Sequence, residues 1–403
     1  MVVYFYLNNE KSPGKLWTAG FIYLLVTNAV NASAFGMITP LVPGYVVSLG
    51  ASLSFAGVVA GMISITALFA RPLASVMGDR FNKKRLLVTA MSLNGFSVIL
   101  YALAPGLLWL LPVRVLHGLM FSISGTVFFA LGTDYIPQNR LGEGVGYLGI
   151  GQIVGMALGP NIGIYLLRSH SYRFCFALGG AGILIAGLSL MVLRDKYAHL
   201  SGSVNKVKRK FHLQDLIAVE VLPNALFVAI LAVGNGLNNS YLVMLGIERS
   251  IGNIGLYFVI NSAMLLLTRP FLGKMTDRKN SSYAIIPAYL MFASALTLIG
   301  FSKGLTPVLF AAVLASIGNG AMPSIQADCI KKLDSRRSTV ATGTYFIGMD
   351  IGMFTGQLFG GVFIDSFGFR TAYHSAGFLM LIGLGFYLLY GKYSKRRKEI
   401  ASK

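Results

Sequence analysis

Charged side chains are scarce in this chain, and the few that interrupt its apolar stretches are where chemistry would be done. Asp350 stands in Tyr345-Phe346-Ile347-Gly348-Met349-Asp350-Ile351-Gly352 with no other acid or base within ten residues. A carboxylate isolated in apolar surroundings can pass between ionised and neutral forms and so carry a proton. It can also bind a cation, or serve as a hydrogen-bonded structural acid. Arg114 and His117 share one helical turn in Arg114-Val115-Leu116-His117-Gly118. An arginine two turns inside an apolar helix must face a cavity or a partner. His117 is either a second proton-exchanging group or a polar packing residue. Amides form the other set: Asn28, Asn31, Gln152, Asn235, Asn238, Asn261 and Asn319, with Tyr345 among them. They would wall a substrate cavity, or bind neighbouring helices together.

The elements that must position these groups follow from composition. Of 403 residues, 55% are hydrophobic and 12% charged, about half the charged fraction of a soluble protein. No Asp, Glu, Lys or Arg occurs in Leu16–Ala70, Leu86–Val113, Phe174–Leu193, Val221–Ile247 or Ser281–Ser302. A bilayer core about 30 Å thick takes about 20 apolar residues per helix, and the short alternating segments of a membrane β-barrel are absent. The chain reads as an all-α membrane protein with twelve transmembrane helices. The first six spans are predicted at 16–38, 53–77, 86–104, 107–131, 143–167 and 174–193. The last six fall at 216–244, 251–273, 282–302, 306–329, 339–364 and 371–391. The first apolar stretch is too long for a cleaved signal peptide. Cys175 and Cys329 both lie in apolar segments and read as small buried hydrophobes.

The net charge of +20 is topological. Of the 34 Lys and Arg, twenty-six fall on one side of the predicted spans and five on the other, with Arg71, Arg114 and Arg269 inside helices. By the positive-inside rule this puts both termini and the central connection in the cytoplasm; the expected location is a bacterial cell membrane. Nucleic acid is not an expected partner; the bilayer is. Residues 194–214, with Ser201-Gly202-Ser203 and a basic run, read as a linker between a bundle at 1–193 and another at 215–403.

An internal repeat supports that division. At an offset of 198, Arg71-Pro72 falls on Arg269-Pro270 and Asp79-Arg80 on Asp277-Arg278. At 197, Gly151, Gly155, Gly159 and Gly163 fall on Gly348, Gly352, Gly356 and Gly360. Two pseudo-symmetric six-helix bundles follow, as in many secondary transporters. Glycine at every fourth position permits close helix approach, for packing alone or along the interface where the halves rock.

Three segments carry a family resemblance. Ser75-Val76-Met77-Gly78-Asp79-Arg80-Phe81-Asn82-Lys83-Lys84 resembles motif A of the major facilitator superfamily, with Ser75 and Asn82 at usual glycine positions. Asparagine tolerates positive φ, so the turn survives. The resemblance implies a conformational latch made by Asp79, Arg80, Lys83 and Lys84, with Arg80 paired to an acid such as Asp134, and with Asp277 and Arg278 as the second-half counterpart. The Arg114 segment resembles motif B of the drug:proton antiporters, which implies a coupling role. Gly155-Met156-Ala157-Leu158-Gly159-Pro160-Asn161-Ile162-Gly163 looks like the antiporter motif C, with Ile164 replacing its last glycine. Pro40-Leu41-Val42-Pro43-Gly44 resembles the proline pattern that breaks the first helix.

No Walker sequence, catalytic triad or metal-ligand spacing appears, so an ATP-driven pump, an enzyme or a metal site is not expected, nor any cofactor. The expectation is a proton-coupled antiporter, monomeric, that exports small amphipathic solutes or drugs by alternating access. A dedicated exporter or importer of one metabolite (a sugar, metallophore or amino acid derivative) is the alternative; a sensor or channel is a distant third.

Overall fold

The computed structural model describes residues 16–137, 141–193, 217–278, 281–332 and 338–401, which form helices and short turns with no strand among them. In chain order the α-helices are α1 (Ala19–Ile38), α2 (Leu41–Ser48), α3 (Leu53–Arg80), α4 (Lys83–Ala102), α5 (Leu107–Thr133), α6 (Leu141–Leu167), α7 (Tyr172–Ser189), α8 (Leu222–Glu248), α9 (Leu256–Arg278), α10 (Ser282–Phe301), α11 (Leu305–Gly320), α12 (Met322–Lys331) and α13 (Ser338–Ala401). Polar side chains fix several starts. Thr18, Ser52, Asn82 and Ser171 each accept a hydrogen bond from the backbone N–H three residues on, at 2.9–3.3 Å, which satisfies an otherwise orphaned donor.

Among the described residues, ten helical stretches are long and apolar enough to cross a membrane. The last, Val340–Lys392, runs for 53 residues, and α13 breaks at Gly368 (φ 79°, ψ 167°), a backbone conformation open only to glycine. It therefore supplies two spans, and the shorter apolar stretch Leu256–Arg269 within α9 adds another. The arrangement is consistent with the twelve predicted spans. The first differs in detail: the chain turns at Thr39-Pro40 but resumes at once as α2, so span 1 reaches Ser48 instead of ending at the prolines. Apolar side chains cover the outside, with Leu267 and Phe271 each 69% exposed, as a lipid-facing surface requires.

The apolar cores divide by sequence. One joins residues from Ala218 to Met380, and two others lie within Leu16–Leu193. The glycine columns explain how each half is held. A Cβ on Gly155, Gly159 or Gly163 would collide with Ala32, Ser33 and Met37 of α1. One on Gly348, Gly352 or Gly356 would collide with the carbonyls of Ala225, Ala229 and Val233 of α8. Ala32 and Ala229 are 197 apart, as are Gly155 and Gly352, so the repeat recurs in space. The columns pack span 5 on span 1 and span 11 on span 7, each inside its own half. The idea that they line the boundary between halves is corrected here; backbone-close packing accounts for them.

Candidate functional site

Below, the near face of the bundle carries the start of α1, the end of α7 and the starts of α8 and α13; the far face carries the α2–α3 turn. The two halves meet along α3 and the first part of α13, which run antiparallel. From the far face inward, Leu53 and Ser54 meet Asp365, Tyr241 donates to the Gln357 carbonyl at 2.9 Å, and Ser64 lies 3.5 Å from Gln357 Oε1. Gly57 and Gly61 admit Gln357 and Phe354 at close range.

Farther in, this seam carries the ion pair. Arg71 Nε and Nη2 donate to the Asp350 carboxylate at 2.6 and 3.1 Å, and the guanidinium lies 5.0 Å from the Phe346 ring centre. The Asp350 side chain is 7% exposed and that of Arg71 30%. A forked, charge-assisted contact of this kind is strong and direction-specific. It depends on the charge of Asp350, because a protonated carboxyl can no longer accept both guanidinium donors as an anion does.

Arg114 is not brought to Asp350. It is 1% exposed, with Nε donating to the Val59 carbonyl at 2.9 Å and Nη2 to that of Ala60 at 3.1 Å. Tyr101 Oη lies 3.4 Å from Nη1 and 2.8 Å from His117 Nδ1. Gly118 lets α3 approach at Ile63 and Thr66. Arg114 thus clamps two α3 carbonyls within the first half, and His117, fully buried, belongs to the same cluster. Arg114 and Asp350 therefore belong to different clusters, and Arg71 is the base that Asp350 meets.

Of the eight predicted cavity residues, three line a cavity of about 70 Å³ in the first half: Asn28, Asn31 and Gln152. Phe35, Phe121, Phe128, Phe129, Met91 and Met156 enclose them. Asn28 also donates to the Leu148 carbonyl at 2.9 Å, tying α1 to α6. The other five lie elsewhere. Asn235 donates to Asn319 at 2.7 Å, Asn238 to Tyr257 at 3.0 Å, and Asn261 to the Ala312 carbonyl at 3.0 Å, while Tyr345 is 3% exposed. These amides hold helices of the second half together, the alternative that mid-membrane amides always carry.

The turn between α3 and α4 differs from expectation at Asn82. Asn82 has φ −61° and caps α4 through Arg85 N–H, so it needs no positive φ. Asp134 receives Lys83 Nζ, at 2.8 and 2.9 Å; its expected pairing with Arg80 rests on a side chain outside the described residues. Lys84 donates to the carbonyls of Met191 and Leu193 at the end of span 6. The motif's two lysines therefore tie spans 4 and 6 to this turn. The side chains of Asp79, Arg80, Asp277 and Arg278 lie outside the described residues, as do residues 194–216.

The far face is shut by two contacts that sequence reasoning missed. Asp365, just past the eleventh predicted span, accepts from Leu53 N at 3.0 Å, Ser54 N at 2.6 Å and Ser54 Oγ at 2.5 Å. Slight burial raises its pKa, but the hydrogen bonds from Ser54, Leu53 and Ser52 outweigh this and hold it below the usual carboxylate range. On the other seam Asn161 donates to the Gly255 carbonyl at 2.9 Å and Arg168 to Asn253 at 3.0 Å. An Asp fifteen residues past Asp350 carried no motif. The signal for Arg71 was visible in the repeated Arg-Pro pair.

Comparison with known proteins gives a consistent set. The Major Facilitator Superfamily profile matches residues 24–248 and 225–403. An uncharacterized MFS-type transporter of Methanocaldococcus jannaschii is 25% identical over 386 residues, 93% of this chain and 99% of that one. The multidrug resistance protein MdtG of Escherichia coli is 24% identical over 412 residues, 97% of this chain and 98% of its own length. Among solved structures, a point mutant of the nucleoside transporter NupG superimposes with a TM-score of 0.80 at 11% identity, covering 92% of this chain and all of that one.

Proposed function

Because the chain belongs to the Major Facilitator Superfamily, and is therefore a multi-pass membrane transporter of a small-molecule substrate, we propose that it is a proton-coupled antiporter that exports amphipathic solutes. In this reading the near face is cytoplasmic, as the excess of Lys and Arg beside it favours, and the chain acts as a monomer in the cell membrane. The state described, with its far-face contacts made, accepts substrate from the cytoplasm. Similarity to a protein named for multidrug resistance supports the export direction.

The observation that carries the proposal is the Arg71–Asp350 pair. It is largely removed from solvent, it joins the two halves, and its strength depends on a single ionisable carboxylate. A proton arriving on Asp350 neutralises the acceptor and releases Arg71, which loosens the seam toward the near face. Loss of the proton restores the contact. Each cycle of the halves then carries one proton inward against one solute outward.

Proteoliposomes with an imposed proton gradient test it. With wild type the lumenal pH should change in step with solute movement, and Asp350→Asn should move solute only down its own gradient. Equal gradient-driven transport by Asp350→Asn and wild type would end the proton assignment. A deletion strain with broad drug sensitivity supports efflux, whereas an unchanged resistance profile points to one dedicated metabolite.

A further inference from the structure

We infer that the cavity of the first half receives an uncharged, planar aromatic solute with hydrogen-bonding groups at its rim. This deepens the transport reading above and rests on it. Among the described residues, neither an acidic nor a basic side chain lines the cavity. Asp350, the carboxylate that could balance a cation, is engaged with Arg71 on the seam. A cation placed here would lose its water without gaining a counter-ion, and that desolvation penalty is large. Attraction to the Phe faces returns only a fraction of it. Neutral solutes win that comparison.

The walls specify the rest. Phe35 and Phe121 stack with centroids 4.3 Å apart and planes 13° from parallel, so two nearly parallel rings form part of the cavity wall. Ring-on-ring contact with such a surface is favourable beyond its area. The rim is polar and unspent. Asn31 Oδ1 is buried with no hydrogen-bond partner among the described residues, an arrangement that is costly unless something else fills it. Gln152 is exposed to the cavity, and its amide makes no hydrogen bond among the described residues. One donor on the solute would meet Asn31, and Gln152 can serve either a donor or an acceptor. The 70 Å³ available is about half of an engineered cavity that holds benzene, so a ring enters edge-first or parts the Phe35–Phe121 stack.

The test uses the full-length chain in detergent and two probes with the same ring: 2-naphthamide and 2-naphthyltrimethylammonium. By microscale thermophoresis the amide should bind at least tenfold more tightly than the cation. Gln152→Ala and Asn31→Ala should each weaken the amide about fivefold, with thermal stability unchanged or, for Asn31→Ala, raised, since an orphaned acceptor is removed. Equal or tighter binding of the cation overturns the inference, as does amide affinity that neither substitution moves. The transport reading fails separately. Binding of 2-naphthamide without gradient-driven movement in proteoliposomes leaves the site standing and removes the antiport. Gradient-driven movement of another solute without 2-naphthamide binding does the reverse.

Discussion

Asp365 offers the sharpest test of how the far face is held. Ser52 already caps α3 through Phe55 N–H, so Asp365 takes the next two donors, the amides of Leu53 and Ser54, with its charge against the positive end of the helix. Losing an N-terminal cap acceptor costs ~1 kcal/mol, and the charge at an exposed helix end adds ~0.5 kcal/mol. Asp365→Ala should therefore shift the far-face equilibrium about tenfold toward opening. Gly106 and Gly304 sit on equivalent far-face turns in the two halves, where a Cβ meets nothing within 4 Å. Cysteines placed there, spin-labelled and read by pulsed electron resonance, report the separation directly. Asp365→Ala should populate a longer distance that is minor in the parent. The contact also has a pH signature. A carboxyl held below its ordinary value contributes fully above about pH 4 and loses its contribution as pH falls through the lowered pKa. In an Asp350→Asn background, which removes the other seam carboxylate, acidification below about pH 4 should reproduce the effect of Asp365→Ala where Asp365 is present and change nothing where Ala replaces it. An identical distance distribution in both proteins at neutral pH would refute the latch.

Three further outcomes follow from other contacts. Arg71→Gln leaves Asp350 without its base and should cost about 3 kcal/mol, at the low end for a buried pair because Arg71 is partly exposed; a melting curve showing recovery in the Arg71→Gln/Asp350→Asn double variant would separate the unpaired charge from lost packing. Arg114→Met removes both links to α3 carbonyls, so it should lower expression and melting temperature as well as transport; a stable but inactive protein would restore a coupling role to Arg114. Gly352→Val must push α8 away at Ala229 and should destabilise by roughly 1–3 kcal/mol or more, whereas Gly149→Ala, with open space around it, should leave the unfolding temperature unmoved.

Much of the architecture was legible because the bilayer imposes simple rules. Span length, charge bias and glycine periodicity all follow from one-dimensional pattern, and Gly155 and Gly352 find equivalent partners in space, as their offset requires. The site was less legible because it depends on which faces of which helices meet. Nothing in the sequence distance between Arg71 and Asp350 indicates that antiparallel packing of α3 on α13 makes them partners. Asn261 and Asn28 look alike as mid-membrane amides; only packing shows that one is spent on a carbonyl while the other also fronts a cavity. The aromatic wall of Phe35, Phe121, Phe128 and Phe129 was hidden for a similar reason, since phenylalanine occurs in eleven of the twelve predicted spans.

The glycine columns bear on recognition as well as packing. Spans 1 and 5 touch backbone to backbone, and the cavity draws its walls from spans 1, 3, 4 and 5, all in the first half. Any displacement of one half against the other would carry these walls together, so the side chains proposed to admit the solute keep the same neighbours through the stroke. Affinity for the proposed ring would then be nearly the same at the start and end of the stroke, and release would come from water entering past the parted seam. On the transport reading the second half would act as a lid over the first, and changes of specificity should arise from substitutions in the first half alone.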